Sequence, residues 1–373
     1  MGEERLVLKK EEQTAYEMRA LFERYGYRRF EMSKFEEYDF YAENRSFLGS
    51  GNILTFTGLD GKLLALKPDV TLSIVKNSRA DRRSPERIYY NENVYRARRG
   101  DGEYREILQA GLEYIGQADT CAVLEVLLLA IQSLKLIGDR TVMDLSHMGF
   151  VAGLLEKTGL GDGRKRQILS CIQEKNAHEI RKICREENVS QEMEERLSKL
   201  AVLSGSLPKA LKEAKKLICG ERMEKAFEEL SCLADCLETC GAAKDVELDF
   251  SMVNDMDYYN GVMFQGYVDG IPGSVLRGGR YDNLVRRLGK DADAIGFAVY
   301  LDMLERFGTK KREFDVDVLL LYEEKTDPAR VAIAARRIAE SGESVMTSRW
   351  DSGEIRYRRL VRIEEGGGDE WGK

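Results

Sequence analysis

The sequence predicts an α+β fold, in which a sheet of mostly hairpin-connected strands has helices packed to one side. Three observations lead to this prediction. Strand-like apolar segments recur up to about residue 150 and return after residue 244. Between these limits, charged amphipathic helices dominate and indicate an insertion. Near the C-terminus the pattern becomes strand, helix, strand. We therefore expect a core domain over residues 1–310, with a helical insertion at about 150–244, and a small α/β module over 311–373.

The N-terminal part of the core begins with a helix. Apolar residues recur at helical spacing over residues 10–25, and Gly26 should end the helix, since glycine is favoured just past a C-terminus. Residues 27–40 are expected to be extended. A hairpin follows, because two apolar strands flank Asp60-Gly61, a strong turn pair. Residues 70–76 can then start a second helix.

The rest of the core is predicted to alternate between strands and helices. Two long strands are expected at 87–96 and 104–115, followed by a buried helix at 119–137 and a short strand at 142–145. After the insertion, the predicted elements are strands at 246–253, 258–268 and 274–281, a helix at 282–289, and a strand or glycine turn that runs into a helix at 294–307.

The C-terminal module has a βαβ-like pattern. Residues 316–322 form an apolar strand, and a helix follows with Asp327 as its N-cap and Pro328 at its first position. Residues 343–348 and 355–363 are candidate strands. The tail after them is acidic and rich in glycine.

Composition and charge weigh against several classes of function. The longest apolar run, residues 123–131, contains Glu125 and falls short of the roughly 18 residues that span a bilayer. The N-terminus has no apolar signal core. The net charge is −7, whereas proteins that bind nucleic acid through many phosphates usually present a basic face. We expect a cytoplasmic protein without a membrane partner, and the charge disfavours tRNA binding.

The cysteines predict packing rather than metal binding. Cys232, Cys236 and Cys240 recur at a spacing that puts them on one helix face. No CxxC pair occurs, and His147 and His178 are the only histidines, so a metal site would lack suitable ligands. We interpret the three cysteines as small residues at a helix–helix contact in a reducing cytoplasm, and we expect no metal.

Four stretches, in order, resemble the histidyl-tRNA synthetase group of class II synthetases over about residues 10–310. One is LALKPDVT, similar to the strand-end signature that binds the amino acid. The others are similar to motif 2, the tyrosine strand of histidine-specific members and motif 3: they are NVYRARRGDGEYREILQAGLEYIG, MDYYNGVMFQGYV and VLRGGRYDNLVRRLGKDADAIGFAVYLDML. The resemblance implies a class II core and an amino-acid pocket.

The candidate pocket residues suit a free histidine. A buried ammonium needs acceptors or an opposite charge. Asp69 and Thr71 are two residues apart at a strand end, while Gln109 and Glu113 share one face of a strand. Taken singly, Asp69 could instead be a cap or turn residue, and Glu113 could meet an arginine. By resemblance, the family's ligand positions fall on Asp69, Thr71, Arg96, Gln109, Glu113, Tyr258 and Tyr259.

Tyrosines and glycines complete the predicted pocket. Tyr258 and Tyr259 are expected to point to opposite faces of their strand, so that one can cover an imidazole while the other packs in the core. Ordinary sheet packing is the alternative for both. Gly278 and Gly279 suit a close approach of the backbone to a ligand or to a neighbouring strand.

Residues that a synthetase uses for adenylation are missing from the expected positions. Arg96 is kept at the motif 2 arginine position, but Arg98 stands where the family has an acid that helps to hold ATP. Asn254 replaces an arginine before the tyrosines, and Asp302-Met303 replaces a Glu-Arg pair in motif 3. Since such guanidinium groups stabilise the transition state, the chain should be catalytically silent, with no catalytic residue and no cofactor.

The family contains a class with this profile, the regulatory subunit of ATP phosphoribosyltransferase, which acts in the first step of histidine biosynthesis. Membership implies a short catalytic subunit as partner, self-association as a dimer within a hetero-octamer, and feedback inhibition by histidine. The pocket would then act as a histidine sensor. The alternatives are an active histidyl-tRNA synthetase and another amino-acid-activating ligase, and both need the ATP site.

Overall fold

The computed structural model describes residues 9–48, 53–97, 103–253, 258–304 and 313–363. They belong to two compact units. One comprises residues 11–307, and the other comprises, among the described residues, residues 9–10 and 313–363. Each unit has its own hydrophobic core, and the candidate site lies wholly within the larger unit.

The described helices, in chain order, are α1 (Lys10–Arg24), α2 (Tyr38–Glu43), α3 (Thr71–Asn77), α4 (Thr120–Ile137), α5 (Met148–Glu156), α6 (Asp162–Gln173), α7 (Ala177–Glu186), α8 (Gln191–Ala201), α9 (Leu207–Lys215), α10 (Glu221–Thr239), α11 (Asp282–Arg287) and α12 (Pro328–Glu340). Short 3₁₀ turns occur at Arg45–Phe47, Ala243–Asp245 and Leu301–Leu304.

The described strands are β1 (Arg28–Arg29), β2 (Phe35–Glu37), β3 (Thr55–Thr57), β4 (Leu63–Leu66), β5 (Glu86–Ala97), β6 (Tyr104–Gly116), β7 (Thr141–His147), β8 (Ser204–Ser206), β9 (Val246–Asp249), β10 (Val262–Val268), β11 (Leu276–Arg280), β12 (Asp293–Tyr300), β13 (Val316–Tyr322), β14 (Val345–Ser348) and β15 (Tyr357–Ile363).

The core unit is built on a nine-stranded sheet in the order β1-β5-β6-β12-β11-β10-β7-β9-β8. Most neighbours are antiparallel, while the β1–β5 and β7–β9 pairs are parallel. A separate three-stranded sheet, β2-β4-β3, holds the predicted hairpin. The expected α+β class is confirmed. Because β12 lies between β6 and β11, strands far apart in sequence become neighbours at the candidate site.

Several local predictions are confirmed by the backbone. Helix α1 ends where expected, and Gly26 adopts a φ of +80°, which favours glycine. The hairpin turn places Gly61 at a φ of +81°. Asp119 caps α4, since its Oδ1 accepts a hydrogen bond from the amide of Ala122 at 3.0 Å.

Three other local expectations need correction. The extended segment after α1 is shorter than predicted, because α2 begins at Tyr38. Strand β7 is longer than expected and runs from Thr141 to His147, since its antiparallel partner β10 pairs with all seven residues. Strand β8 was not expected inside the helical insertion. Its sequence, Ser-Gly-Ser, is too short and polar to give a strand pattern, and its pairing with β9 defines it.

Helix α4 is long and apolar enough to cross a membrane by length and composition alone, although no uninterrupted apolar run in it is that long. More than half of it is buried inside the protein. Val126, Leu127, Leu129 and Ala130 are fully buried in the main core. The helix therefore packs as a core element, as its sequence predicted.

The cysteine prediction is wrong for the three residues near the end of α10. Cys232 and Cys240 are exposed, and Cys236 is half-buried. They line an open surface groove of about 560 Å³ beside α4. The reason is the rotation of α10, which buries a different face, one that carries Leu230 and Leu233. Within the described residues, no group of three or more His, Cys, Asp or Glu side chains could hold a metal ion.

The C-terminal unit confirms the predicted βαβ pattern. Its parallel sheet has the order β14-β13-β15. Helix α12 begins with Pro328, and Asp327 caps it by accepting a hydrogen bond from the amide of Ala329 at 2.9 Å. The helix covers one face of the sheet through a small apolar core of Val318, Leu320, Val331, Ala334 and Ile338.

Candidate functional site

One cavity of about 700 Å³ lies on the face of the main sheet. The register explains its floor: Gln109 pairs with Tyr300, and Glu113 pairs with Gly296, so alternate residues of β6 and β12 face the same side. All seven residues predicted for the pocket line this cavity. They are Asp69, Thr71, Arg96, Gln109, Glu113, Tyr258 and Tyr259. The shared face of Gln109 and Glu113 is as predicted.

Asp69 and Arg96 form an ion pair at one end of the cavity. Asp69 Oδ1 accepts a hydrogen bond from the amide of Leu72 at 2.9 Å, so this carboxylate also caps α3. Its Oδ2 lies 3.2 Å from Arg96 Nη2. Arg96 Nε donates to the carbonyl oxygen of Pro68 at 2.7 Å. Asp69 is therefore both a helix cap and part of the pocket wall, which the sequence had left as alternatives.

Glu113 is the buried carboxyl group at the centre of the cavity. Tyr281 donates to its Oε2 at 2.5 Å, and Thr71 donates to its Oε1 at 2.7 Å. Burial raises the pKa of Glu113 to about 8, although both hydroxyl donors act in the opposite direction. The partners of this carboxyl group are hydroxyls, not the arginine considered as an alternative. Near neutral pH the group is mostly protonated and can both donate and accept hydrogen bonds.

The tyrosine prediction is wrong in its geometry. Tyr258 and Tyr259 precede β10, which begins only at Val262, so the alternation of a strand does not apply to them. Both side chains line the cavity, with ring centroids 4.5 Å apart in an edge-to-face arrangement. Tyr258 also lies 6.4 Å from the ring of Tyr281. The cavity thus has an aromatic wall of three rings, suited to covering a flat ring of a ligand.

Asn260 holds this tyrosine segment in place. Its amide donates to the carbonyl oxygen of Arg280 at 3.1 Å, and its Nδ2 donates to Asp282 Oδ2 at 3.1 Å. In return, the amide of Asp282 donates to Asn260 Oδ1 at 3.0 Å. Asp282 is buried and also accepts from Arg280 Nε at 2.8 Å and from the amide of Ala294 at 3.1 Å. These contacts position the backbone immediately after the tyrosines.

The absence of a side chain at Gly296 leaves the space that the carboxyl group of Glu113 occupies. A Cβ atom at Gly296 would lie 1.8 Å from Glu113 Oε2, which no side chain can tolerate. A Cβ at Gly278 would meet the carbonyl oxygen of Gly296 at 2.5 Å, and one at Gly279 would meet the Tyr259 ring at 2.7 Å. The predicted close approach is therefore to a neighbouring strand at Gly278 and to a pocket tyrosine at Gly279.

Sequence reasoning did not pick out several lining residues. Tyr281, Arg277 and Gln265 all face the cavity. The stretch VLRGGRYD was noted for its glycines, and its arginine and tyrosine could have been identified from strand alternation around them. Asn260 could have been found only from the tertiary contact with Asp282, because asparagine before glycine predicts merely a turn.

The structure describes some of the positions at which residues needed for adenylation are replaced. Arg98 and Asn254 lie outside the described residues. Asp302 and Met303 lie in the 3₁₀ turn Leu301–Leu304, where Met303 packs against the main hydrophobic core. Met303 therefore has an apolar packing role at the position where the synthetase resemblance places an arginine.

Comparisons with known proteins agree with the predicted fold. A family model described as Histidyl-tRNA synthetase matches residues 7–304. The ATP phosphoribosyltransferase regulatory subunit of Acetivibrio thermocellus is 30% identical over 317 residues, covering 83% of this chain and 76% of that protein. The crystal structure of an ATP phosphoribosyltransferase regulatory subunit/histidyl-tRNA synthetase from Bacillus halodurans is similar with a TM-score of 0.76 and 28% identity, over 95% of this chain and 93% of that one.

A third likeness is to a chain of the ATP phosphoribosyl transferase (HisG:HisZ) complex from Thermotoga maritima. The TM-score is 0.61 at 18% identity, and the match covers 77% of this chain and 96% of that chain. At this identity the likeness is one of fold.

Proposed function

Because the chain belongs to the family of ATP phosphoribosyltransferase regulatory subunits, within the wider histidyl-tRNA synthetase family, we propose that it is the non-catalytic regulatory subunit of an ATP phosphoribosyltransferase. In this role it activates a short catalytic subunit in the first step of histidine biosynthesis. It also makes that subunit sensitive to inhibition by histidine.

One observation carries the choice of ligand: a single cavity combines a buried carboxyl group, an anionic aspartate and an aromatic wall. Glu113 can exchange hydrogen bonds with an imidazole or an ammonium group, and Tyr258 and Tyr259 can cover a flat ring. Asp69 supplies negative charge for the ammonium group, which would share this carboxylate with Arg96. We infer that free histidine is the ligand.

Histidine binding regulates the partner only if it distinguishes two states of the assembly. A ligand shifts an equilibrium by no more than its difference in affinity for the two states. Gln173, at the end of α6 in the helical insertion, lines the same cavity as the sheet residues. Closure of the insertion on bound histidine is therefore a direct route from the pocket to the rest of the subunit.

The test is reconstitution with a short-form ATP phosphoribosyltransferase. The purified chain should co-elute with that catalytic subunit, raise its rate and confer inhibition by histidine. A Glu113→Gln variant should still co-elute and activate, yet need far more histidine for inhibition. Glu224→Gln, on an exposed face of α10, is the matched control. Unchanged rates without co-elution would contradict the regulatory role, and equal inhibition in both variants would contradict the ligand site.

The absence of catalysis is a separate proposal with its own test. We propose that the chain forms no histidyl adenylate, because Met303 occupies an apolar site where a synthetase-like arginine would be needed. Histidine-dependent exchange of pyrophosphate into ATP should stay at background. Exchange above background would instead support an active synthetase or another amino-acid-activating ligase.

The assembly and its location are also proposals. We infer a cytoplasmic hetero-octamer of four regulatory and four catalytic chains, in which the regulatory chains pair as dimers. Light scattering of the reconstituted complex measures its mass directly. A mass that fits one regulatory and one catalytic chain would contradict the octamer.

A further inference from the structure

Arg277 is a cationic residue on the floor of the cavity, and the proposed function has so far given it no role. On β11 it pairs with Gln265 of β10 and with Ala298 of β12. It lies two residues from Gly279, so its side chain points to the same face of the sheet as Glu113. One strand, β12, lies between the strands of Arg277 and Glu113, which are therefore roughly 10 Å apart across the sheet. Arg277 and Glu113 thus mark two separate regions of one cavity.

Two arginines of the described residues, Arg96 and Arg277, line the cavity, and they differ in their partners. Arg96 is occupied, since its Nε donates to the carbonyl oxygen of Pro68 and its Nη2 pairs with Asp69. Within the described residues, the Arg277 side chain makes one hydrogen bond, from its Nε to Ser274 Oγ at 2.8 Å. Its side chain is exposed in the cavity, and in the described part of the chain no carboxylate forms an ion pair with its terminal nitrogens.

A free amino acid brings a carboxylate as well as an ammonium group, and the carboxylate needs a cation or several donors. Asp69 suits a cationic group, and Glu113 carries no positive charge that could pair with an anion. We propose that Arg277 binds the carboxylate of the ligand, with Gln265 as its neighbour on the floor. This inference rests on the proposed histidine ligand and names the residue that selects the free amino acid.

The consequence is a specificity for an intact, free α-carboxylate. Arg277 presents its two terminal nitrogens as a planar pair, which matches the two oxygens of a carboxylate. A ligand without that charge should lose the contact and leave the guanidinium without an anion. Histidine in a peptide bond, or as its amide, would then be rejected. This selectivity would keep the sensor responsive to free histidine.

The experiment measures the binding of L-histidine and L-histidinamide to the full chain by calorimetry. Wild type should bind histidine roughly 10- to 100-fold more tightly than the amide, the size expected for a charge-assisted pair. Arg277→Gln should weaken histidine binding by about the same factor and leave the affinity for the amide unchanged. Arg277→Lys should restore part of the preference. Arg140→Gln, on an exposed arginine, is the matched control.

The possible outcomes are distinct. If Arg277→Gln weakens the binding of histidine and of histidinamide equally, the arginine has a structural role and the inference is overturned. An unchanged preference of this variant for histidine over its amide would also overturn the inference. An unchanged preference would locate the carboxylate near Arg96 instead. If wild type binds no histidine, the proposed sensor fails together with this inference. Melting temperatures of the variants within a degree or two of wild type would verify that the fold is intact.

Discussion

Glu113 makes the stability of the protein depend on pH in a direction that is unusual for a carboxyl group. Its pKa is raised from the ordinary 4.5 to about 8 by burial. Below pH 4.5 the group is protonated in both folded and unfolded chains. As pH rises, the unfolded chain ionises first, so the free energy of unfolding falls until the buried group also ionises near pH 8.

The magnitude follows from the two pKa values. At roughly 1.36 kcal/mol for each pH unit, the interval from 4.5 to about 8 corresponds to a loss of about 5 kcal/mol. Local relaxation around the charged group would reduce this figure. A Glu113→Gln variant keeps one carbonyl oxygen as an acceptor, replaces the other oxygen by an NH2 donor and cannot ionise. Its free energy of unfolding should therefore lack this decline.

Urea unfolding from pH 5 to pH 9 provides the measurement. Far-UV circular dichroism is the suitable signal, because both tryptophans, Trp350 and Trp371, follow the core in the chain. The difference in unfolding free energy between Glu113→Gln and wild type should shift in favour of the variant as pH rises, by several kcal/mol in total. Two parallel profiles would refute a protonated Glu113. Glu224→Gln, with an exposed side chain, should follow wild type.

Three further predictions concern the same cavity. At pH 7, binding of histidine should release protons from Glu113, because a cationic group beside it favours the carboxylate. The calorimetric heat of binding should therefore differ between phosphate and Tris buffers. This difference should vanish in Glu113→Gln. Asp69→Ala should lose the cap of α3, at about 1 kcal/mol by urea unfolding, whereas Asp69→Asn should keep most of that stability; both should weaken histidine binding. Gly296→Ala should lower the melting temperature and abolish histidine binding, because its Cβ would overlap Glu113 Oε2. Gly163→Ala, which has open space around it and no left-handed backbone, is the control.

Local signals in the sequence were sufficient where a single element decides the geometry. Strand periodicity correctly placed Gln109 and Glu113 on one face of β6, because pairing with β12 preserves the alternation. The start of α4 at residue 119 was predicted because an aspartate immediately precedes a long apolar segment, and Asp119 caps this helix in the structure. The pocket needed all four motif stretches together, since Asp69 alone is equally a cap.

Tertiary contacts decided what the sequence could not. The Tyr258-Tyr259 pair resembled a strand, yet the bonds of Asn260 to Arg280 and Asp282 hold the segment outside the ladder, and both rings face the cavity. The rotation of α10 likewise depends on which face packs against α5 and α4, and a spacing of four residues leaves that choice open. In both cases the sequence identified which residues share a segment, but not which side of it is buried.

The hydrogen bonding of the cavity bears on whether it serves a sensor or an enzyme. Asp69 already pairs with Arg96, and Glu113 already accepts from Tyr281 and Thr71. A cationic ligand would therefore compete with these partners, and its charge would favour the carboxylate form of Glu113. Catalysis relies on charges fixed in advance for a transition state, so such rearrangement would oppose it. For a sensor the rearrangement is useful, because ligand occupancy changes the charge at the centre of the core and so favours one state of the subunit over another.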